Sequence, residues 1–247
     1  MYQILRANGY PDDHIILILA DDISGNKWNN RPGKIIARLG GENLYTSDIE
    51  IDYKLKDISV SDLCDIMLGK SSDSLPLVLD TDEHSNILWF WSGHGANNGG
   101  NSSDGQFIWN GKEESKGFTT NMLKQTLSAM KSQNRFRKIF MITETCYSSS
   151  VVCATEGIEG VLALAAANGS ETSLTDIYSV ELGVWLSNRF THNLTDKILD
   201  EPQTPFADLY ASVAKNTVGS HVKLWNASCY GNMNTESAYE EFWKYQF

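Results

Sequence analysis

The chain has 247 residues, 41% of them hydrophobic, which is enough for one sizeable core. Its 20 Lys and Arg residues stand against 31 Asp and Glu residues, so the formal net charge is −11 at pH 7. An acidic chain without a Lys- or Arg-rich run is not typical of a nucleic-acid-binding protein. We expect one domain over residues 1–247 and no nucleic-acid partner.

Targeting and cysteine signals exclude several further classes. No stretch approaches the roughly 20 uncharged apolar residues that a membrane span needs. The first residues read as the middle of a domain, so we expect a leader or a first element upstream of Met1. The four cysteines form no CxxC pair and have no His at zinc-finger spacing, which predicts no structural metal. Cys64 is predicted to lie in the core, whereas Cys153 and Cys229 could be core residues, a disulfide pair or neither.

Four apolar runs predict buried strands, at residues 15–20, 87–91, 138–143 and 160–166. Continuous apolarity over five to eight residues indicates that both faces are covered, as in a parallel sheet between helices. The pattern predicts helices near residues 60–68, 123–130, 180–199 and 205–218, and loops over residues 70–85 and 96–117. The order of these elements predicts an α/β fold with a mostly parallel sheet.

Two chemically capable residues follow two of the predicted strands. His94 lies in the motif Ser-Gly-His-Gly after one strand, and Cys146 follows Glu144-Thr145 after the next one. Ligands of open α/β sheets bind at the carboxyl ends of the strands, so we expect the imidazole and the thiol at one rim. A nearby His makes a Cys nucleophilic, and the N–H groups of Gly95 and Cys146 could hold an oxyanion.

Six segments of the chain resemble, in the same order, the legumain-type cysteine peptidases and the related catalytic subunit of glycosylphosphatidylinositol transamidase. The resemblance covers most of residues 1–193. The segments are YQILRANGYPDDHIILILADDI with NRPG, IEIDYKLKDISVSDLCDIMLGK, SNILWFWSGHG, IFMITETCYSSS, LALAAANGSETS and GVWLSNRFTHNL.

The resemblance implies a caspase-like α/β/α sandwich and assigns roles to particular residues. It makes His94 the catalytic histidine and Cys146 the nucleophile, with Glu144 and Asp176 as acidic walls of the specificity pocket and Ser173 lining it. Such a pocket is consistent with the family's preference for Asn, and for Asp at acid pH, because carboxylates accept the N–H donors of an amide. No metal or organic cofactor is implied.

The sequence also departs from the family pattern. The family's first strand, which contributes an Arg to the pocket, is missing from this chain. An N-terminal fragment of the same precursor could supply that strand, or the sequence is trimmed. Gly93 resembles the transamidase side of the family, because legumains carry Asp at that position.

These observations predict a cysteine endopeptidase that hydrolyses peptide bonds after Asn or Asp of a peptide or protein substrate. One alternative is a transamidase or peptide ligase that uses the same Cys and His, and another is a catalytically silent caspase-like binding module. Family habit favours an exported protein over a cytoplasmic one. Without the resemblance, Glu144 and Asp176 would read as surface acids. The histidines His14, His84, His192 and His221 have no evident partner, and most are expected at the surface.

Overall fold

The computed structural model describes residues 1–20, 23–46, 49–112 and 117–245. In chain order its helices and strands are α1 (Tyr2–Ala7), β1 (Ile18–Leu19), β2 (Tyr53–Lys54), α2 (Val60–Met67), β3 (Asn86–Ser92), β4 (Gly95–Asn98), β5 (Asn101–Phe107), β6 (Phe118–Thr119), α3 (Thr120–Ser132), β7 (Lys138–Glu144), α4 (Ser149–Val152), β8 (Val161–Ala165), β9 (Thr175–Ser179), β10 (Val184–Asn188), α5 (Arg189–Asp200), α6 (Phe206–Asn216) and β11 (Lys223–Trp225). A π-helical turn covers Tyr239–Trp243.

A four-stranded sheet with the order β11-β8-β7-β3 lies at the centre of the fold. The pairs β3–β7 and β7–β8 are parallel, and β11 is antiparallel to β8. The predicted strands at residues 87–91, 138–143 and 160–166 are therefore confirmed, and so is the mostly parallel sheet.

Alternate residues of β7 enter two separate hydrophobic cores, one on each face of the sheet. Ile139 and Met141 pack with the apolar faces of α2 and α3, whereas Phe140 and Ile142 pack with those of α5 and α6. All four side chains are at most 1% exposed. Covering a sheet with helices on both faces makes a three-layer α/β/α sandwich, which confirms the predicted fold class.

Local capping explains where two of the predicted helices begin. The Ser59 side chain accepts a hydrogen bond from the Asp62 N–H, and the Asp62 carboxylate accepts one from the Ser59 N–H, which closes a capping box at the start of α2. The Thr119 hydroxyl caps α3 by accepting a hydrogen bond from the Met122 N–H. The predicted helix at residues 205–218 is observed as α6.

The prediction of a buried strand at residues 15–20 is wrong in length and place. Only Ile18–Leu19 is a strand, it is half-buried, and it pairs in parallel with Tyr53–Lys54 outside the four-stranded sheet. The apolar run is long enough for a strand, but it meets only this two-residue partner. Within the described residues, β3 forms the edge of the central sheet on the side away from β7.

Two hairpins form where hydrophobic periodicity predicts a helix and a loop. Residues 180–188 are not helical, because β9 and β10 form an antiparallel hairpin whose turn closes at Gly183 with φ +69°, and the helix begins only at Arg189. The predicted loop at residues 96–117 contains the hairpin of β4 and β5, which turns at Gly99 and Gly100, both with positive φ. The part of that loop at residues 113–116 lies outside the described residues. Positive φ at Gly permits these tight turns, which hydrophobic periodicity does not register.

Residues 70–85 form neither a helix nor a strand, as predicted, apart from one isolated bridge between Ser72 and Leu75. Among the described residues, no helix combines the length and the apolar character that a membrane span requires.

The buried face of β8 can be tested with one substitution made at two sites. Leu164 in β8 is 1% exposed and Leu199 in α5 is 51% exposed. We expect Leu164→Ala to lower the free energy of unfolding by about 2–5 kcal/mol, because it leaves a cavity, and to lower Tm by roughly 5–15 °C. Leu199→Ala should change Tm by less than about 2 °C. Thermal unfolding followed by circular dichroism measures both, and equal shifts would contradict the assignment of the core.

Candidate active site

The backbone turns sharply after β7, at the residue that follows Cys146. The strand ends at Glu144, and Tyr147 has φ +54°, in the left-handed region that bulky residues rarely adopt. The Tyr147 N–H donates a hydrogen bond to the Glu171 carbonyl oxygen at 2.8 Å, and α4 begins two residues later. Cys146 is half-buried at this turn. The three serines that follow it, Ser148–Ser150, are buried rather than exposed.

His94 follows the neighbouring strand at the same end of the sheet. The parallel register pairs Ser92 with Glu144, so that β3 and β7 end side by side. The Gly93 N–H donates to the Glu144 carbonyl oxygen at 3.2 Å and continues this pairing beyond the strands. His94 itself is exposed. The structure therefore places His94 and Cys146 at one rim, as the strand order had predicted.

Gly95 brings its main chain against the turn that carries Cys146. A Cβ at this position would lie 2.3 Å from the Cys146 carbonyl oxygen and 2.9 Å from Thr145 Oγ1, so a side chain would force the two segments apart. Gly95, which follows His94, and Cys146, which precedes the turn at Tyr147, are thus in direct contact.

Two N–H groups at this contact have no backbone acceptor among the described residues. The Ile108 N–H donates to the His94 carbonyl oxygen at 2.9 Å, so the next pair, Gly95 with Phe107, is a non-hydrogen-bonded one and the Gly95 N–H points away from β5. The Cys146 N–H has no backbone acceptor within the described part of the chain. Backbone N–H groups without an acceptor are the kind of donor that can stabilise an oxyanion.

Glu144 is buried, not a surface acid. It is 1% exposed, and its Oε2 accepts hydrogen bonds from the N–H and the hydroxyl of Thr191, both at 2.9 Å. Its Oε1 is buried and has no hydrogen-bond partner among the described residues. Burial raises the pKa of Glu144, although the bonds from Thr191 and the nearby Ser173 hydroxyl each lower it in part. The carboxyl group thus has one oxygen held by Thr191 and one that has no hydrogen-bond partner within the described part of the chain.

Asp176 lies on β9 in an ionic cluster that the sequence did not predict. Its Oδ2 lies 2.6 Å from His192 Nδ1, and its Oδ1 lies 4.0 Å from Arg189 Nε. The other ring nitrogen of His192 lies 3.0 Å from Asp196 Oδ2. His192 therefore has two carboxylate partners, although the sequence had indicated none. His14, His84 and His221 are more than half exposed, as expected for most of these histidines.

The first turn of α5 contacts both Glu144 and Asp176, the two predicted acids of the specificity pocket. Thr191 holds Glu144, and its neighbours His192 and Arg189 contact Asp176. Sequence reasoning missed these three residues because it began the helix at residue 180. A helix start at Arg189 would have placed them together on one turn, and that start is the signal that could have found them.

The chain has three other thiols, and two surface cavities are not lined by His94 or Cys146. All four cysteines are free, so Cys153 and Cys229 are not paired, and Cys64 is half-buried against the core. Burial raises the pKa of the Cys64 and Cys153 thiols. The described residues contain no group of three or more His, Cys, Asp or Glu side chains that could hold a metal ion. These two cavities, of about 510 and 430 Å³, are lined by residues 197–208 and by residues around Lys138 and Tyr230.

The burial of Glu144 predicts a pH-dependent effect on stability. A carboxyl whose folded pKa is raised contributes most to stability below its unfolded pKa, and that contribution is lost as pH rises towards the folded pKa. Gln does not titrate, so Glu144→Gln should gain a few °C in Tm relative to the wild type between pH 4.5 and pH 7.5, at roughly 2–4 °C per kcal/mol.

Calorimetry at several pH values measures this difference. The control is Glu159→Gln, because Glu159 is 81% exposed and pairs with Lys131 at the surface. A Tm difference for Glu144→Gln that stayed constant with pH would show that the buried carboxylate ionises without cost.

Comparisons with known proteins identify the family of this chain. The model of the Peptidase C13 family matches residues 1–241. A Caenorhabditis elegans protein is 31% identical over 196 residues, which are 78% of this chain and 57% of that protein. The GPI-anchor transamidase of Homo sapiens is 28% identical over 222 residues, covering 87% of this chain and 53% of that protein. The GPI-anchor transamidase of Saccharomyces cerevisiae is 26% identical over 228 residues, covering 90% of this chain and 53% of that protein.

The chain spans somewhat more than half the length of these relatives. The family match extends over nearly all of it and includes both strands that end at the rim. The resemblance that the six segments predicted is thereby confirmed: this chain belongs to the Peptidase C13 family.

Proposed function

We propose that this chain is the catalytic part of a cysteine-dependent transamidase of the GPI-anchor transamidase type. The observation that carries the chemistry is the contact between Gly95 and the Cys146 turn, where the N–H groups of both residues have no backbone acceptor among the described residues. The names of the human and yeast relatives favour transfer to an amine over hydrolysis. Gly93, which resembles the transamidase side of the family, supports the same choice.

The proposed reaction passes through a thioester. His94 accepts the Cys146 proton, and the thiolate attacks the carbonyl carbon of a peptide bond. The N–H groups of Gly95 and Cys146 hold the oxyanion, and the C–N bond then breaks as His94 returns the proton to the departing amine. An incoming amine, deprotonated by His94, attacks the thioester and releases the Cys146 thiolate. Water in place of that amine would give hydrolysis, as an endopeptidase does.

The proposed specificity rests on the free oxygen of Glu144. An Asn side chain before the scissile bond has amide N–H donors that fit an unpartnered buried acceptor. Ser173 lies close to this carboxylate, and the Asp176 carboxyl group, which His192 contacts, is the proposed second acidic wall. At acid pH a protonated Glu144 could donate to a substrate Asp instead, because burial raises its pKa.

Two other functions have less support. Asparaginyl endopeptidase activity would use every residue named above, but the relatives carry transamidase names. A silent binding module would not require the unpaired N–H donors beside a Cys and a His. The proposal includes a peptide or protein substrate and an exported location.

The partition of the acyl group between an amine and water tests the proposal directly. We expect an Asn-containing peptide to give an amide product with hydroxylamine, in a ratio to the acid product that rises with amine concentration. Cys146→Ala should lower both rates by about 10³-fold or more, because it removes the nucleophile. Cys229→Ala is the matched control, since its thiol is also free and part-exposed, and should keep both rates. Mass spectrometry identifies the products, and acid alone at every amine concentration would favour the endopeptidase.

The contact at Gly95 predicts a second effect on turnover. Gly95→Ala would place a Cβ 2.3 Å from the Cys146 carbonyl oxygen, so the donor must move. We expect kcat/KM to fall by roughly 10²–10³-fold, the range for loss of one oxyanion donor. Gly93→Ala is the control, because its Cβ would meet only Trp91 Nε1, at 3.6 Å. Equal losses of kcat/KM in both variants would show that Gly95 has no special role in turnover.

A further inference from the structure

The turn that carries Cys146 is attached to one loop, residues 167–171. The left-handed Tyr147 donates its N–H to the Glu171 carbonyl oxygen at 2.8 Å. Ser148 Oγ accepts a hydrogen bond from the Ala167 N–H at 3.0 Å, and the Ser149 N–H donates to the Ala167 carbonyl oxygen at 3.2 Å. A strained backbone of this kind persists only where its surroundings hold it, and here the loop does so.

The same loop also contacts the strand that carries Gly95. Asn97 lies on β4, two residues after Gly95, and its side-chain amide donates to the Gly169 carbonyl oxygen at 3.0 Å. Gly169 packs so closely on the neighbouring strand β5 that a Cβ would lie 2.0 Å from the Ser102 carbonyl oxygen. Residues 167–171 therefore join the cysteine turn to the strand after His94.

One carboxylate closes this loop. Glu171 Oε1 accepts hydrogen bonds from the Asn168 N–H at 3.0 Å and from the His221 N–H at 2.5 Å. Glu171 Oε2 lies 2.8 Å from His221 Nδ1. Burial would raise the pKa of Glu171, but the hydrogen bonds from Asn168 and His221 outweigh it and lower the pKa. The carboxylate thus stays charged and keeps its partners in moderately acid solution.

We propose that Glu171 is a positioning residue, which holds the loop 167–171 in the shape that sets the Cys146 thiol against His94. It acts through the backbone of Tyr147 and touches no substrate atom. The proposal rests on the proposed function only in its use of Cys146 and His94 as a reacting pair. His221 supports the same arrangement, because it anchors the Glu171 carboxylate to the segment before β11.

Substitutions at Glu171 and at a matched glutamate test this role. Glu236 is the control, because its side chain is 26% exposed against 22% for Glu171, and it pairs with Lys138, at the start of β7 and so at the opposite end of the sheet. Glu171→Ala should lower kcat in the amine-transfer assay by roughly 10- to 100-fold, the cost of misplacing a reacting group by about 1 Å, with KM within about twofold. Glu171→Gln keeps one acceptor oxygen, so its kcat should lie between that of Glu171→Ala and that of the wild type.

The control defines what a merely structural role would do. Glu236→Gln should leave kcat within about twofold even where its Tm falls as far as that of Glu171→Gln. His221→Gln loses the ring contact but keeps the backbone N–H bond, so it should cost less kcat than Glu171→Gln. If both glutamate variants lost stability and neither lost kcat, the positioning role would be refuted.

A second readout does not depend on the substrate. The rate at which iodoacetamide alkylates Cys146, followed by mass spectrometry of its peptide, reports how much thiolate is present at each pH. We expect Glu171→Ala to move the midpoint of this profile up by about one pH unit and Glu236→Gln to leave it in place. An unchanged midpoint in Glu171→Ala would overturn the proposal. His94→Ala separates the two ideas: if it too left the midpoint unchanged, the Cys146–His94 pair of the proposed function would fail instead.

Discussion

The parallel register of β3 on β7 is the constraint on which the rest of the structure depends. It pairs Ser92 with Glu144 and continues through the Gly93 N–H, so both strands end at one level. A slip of one residue would turn every side chain of a strand to the other face and would separate the two ends. Because the two faces of β7 pack into different cores, such a slip would exchange Ile139 and Met141 with Phe140 and Ile142. Side chains of the wrong shape would then fill each core, and packing therefore disfavours the slip.

From that rim, three short contacts organise the chemistry. Gly95 packs on the Cys146 carbonyl oxygen, the first turn of α5 holds Glu144 through Thr191, and the loop 167–171 holds the turn at Tyr147. Each contact joins segments far apart in the chain. The buried Oε1 of Glu144, which has no hydrogen-bond partner in the described ranges, and the left-handed Tyr147 both cost free energy in the folded state. Such costs concentrate where a protein binds or reacts, and here both lie within three residues of the one cysteine at the rim.

Much of the fold could be predicted from hydrophobic pattern, and the errors have physical causes. Long apolar runs and capped amphipathic helices identified β3, β7, β8, α2 and α3 because burial on both faces leaves a strong signal. The hairpins of β4–β5 and β9–β10 were missed because they are half-exposed and turn at glycines, where apolar periodicity is weak. Residues 15–20 have the apolarity of a core strand, but whether such a run enters a sheet depends on a partner strand, which lies elsewhere in the chain.

By itself the sequence determined the α/β class, the two strands that end at His94 and Cys146, and the resemblance to the family that the comparisons confirmed. These follow from local pattern and motif order, which require no knowledge of distant contacts. Only the tertiary structure decided that Glu144 is buried with one free oxygen, that His192 bridges Asp176 and Asp196, and that Glu171 closes the loop beneath Cys146. Apart from the contact of His192 with Asp196 four residues later, those properties arise from groups that meet across 16 to 50 residues of sequence or from the low-polarity surroundings that packing creates. Neither is written in a local pattern.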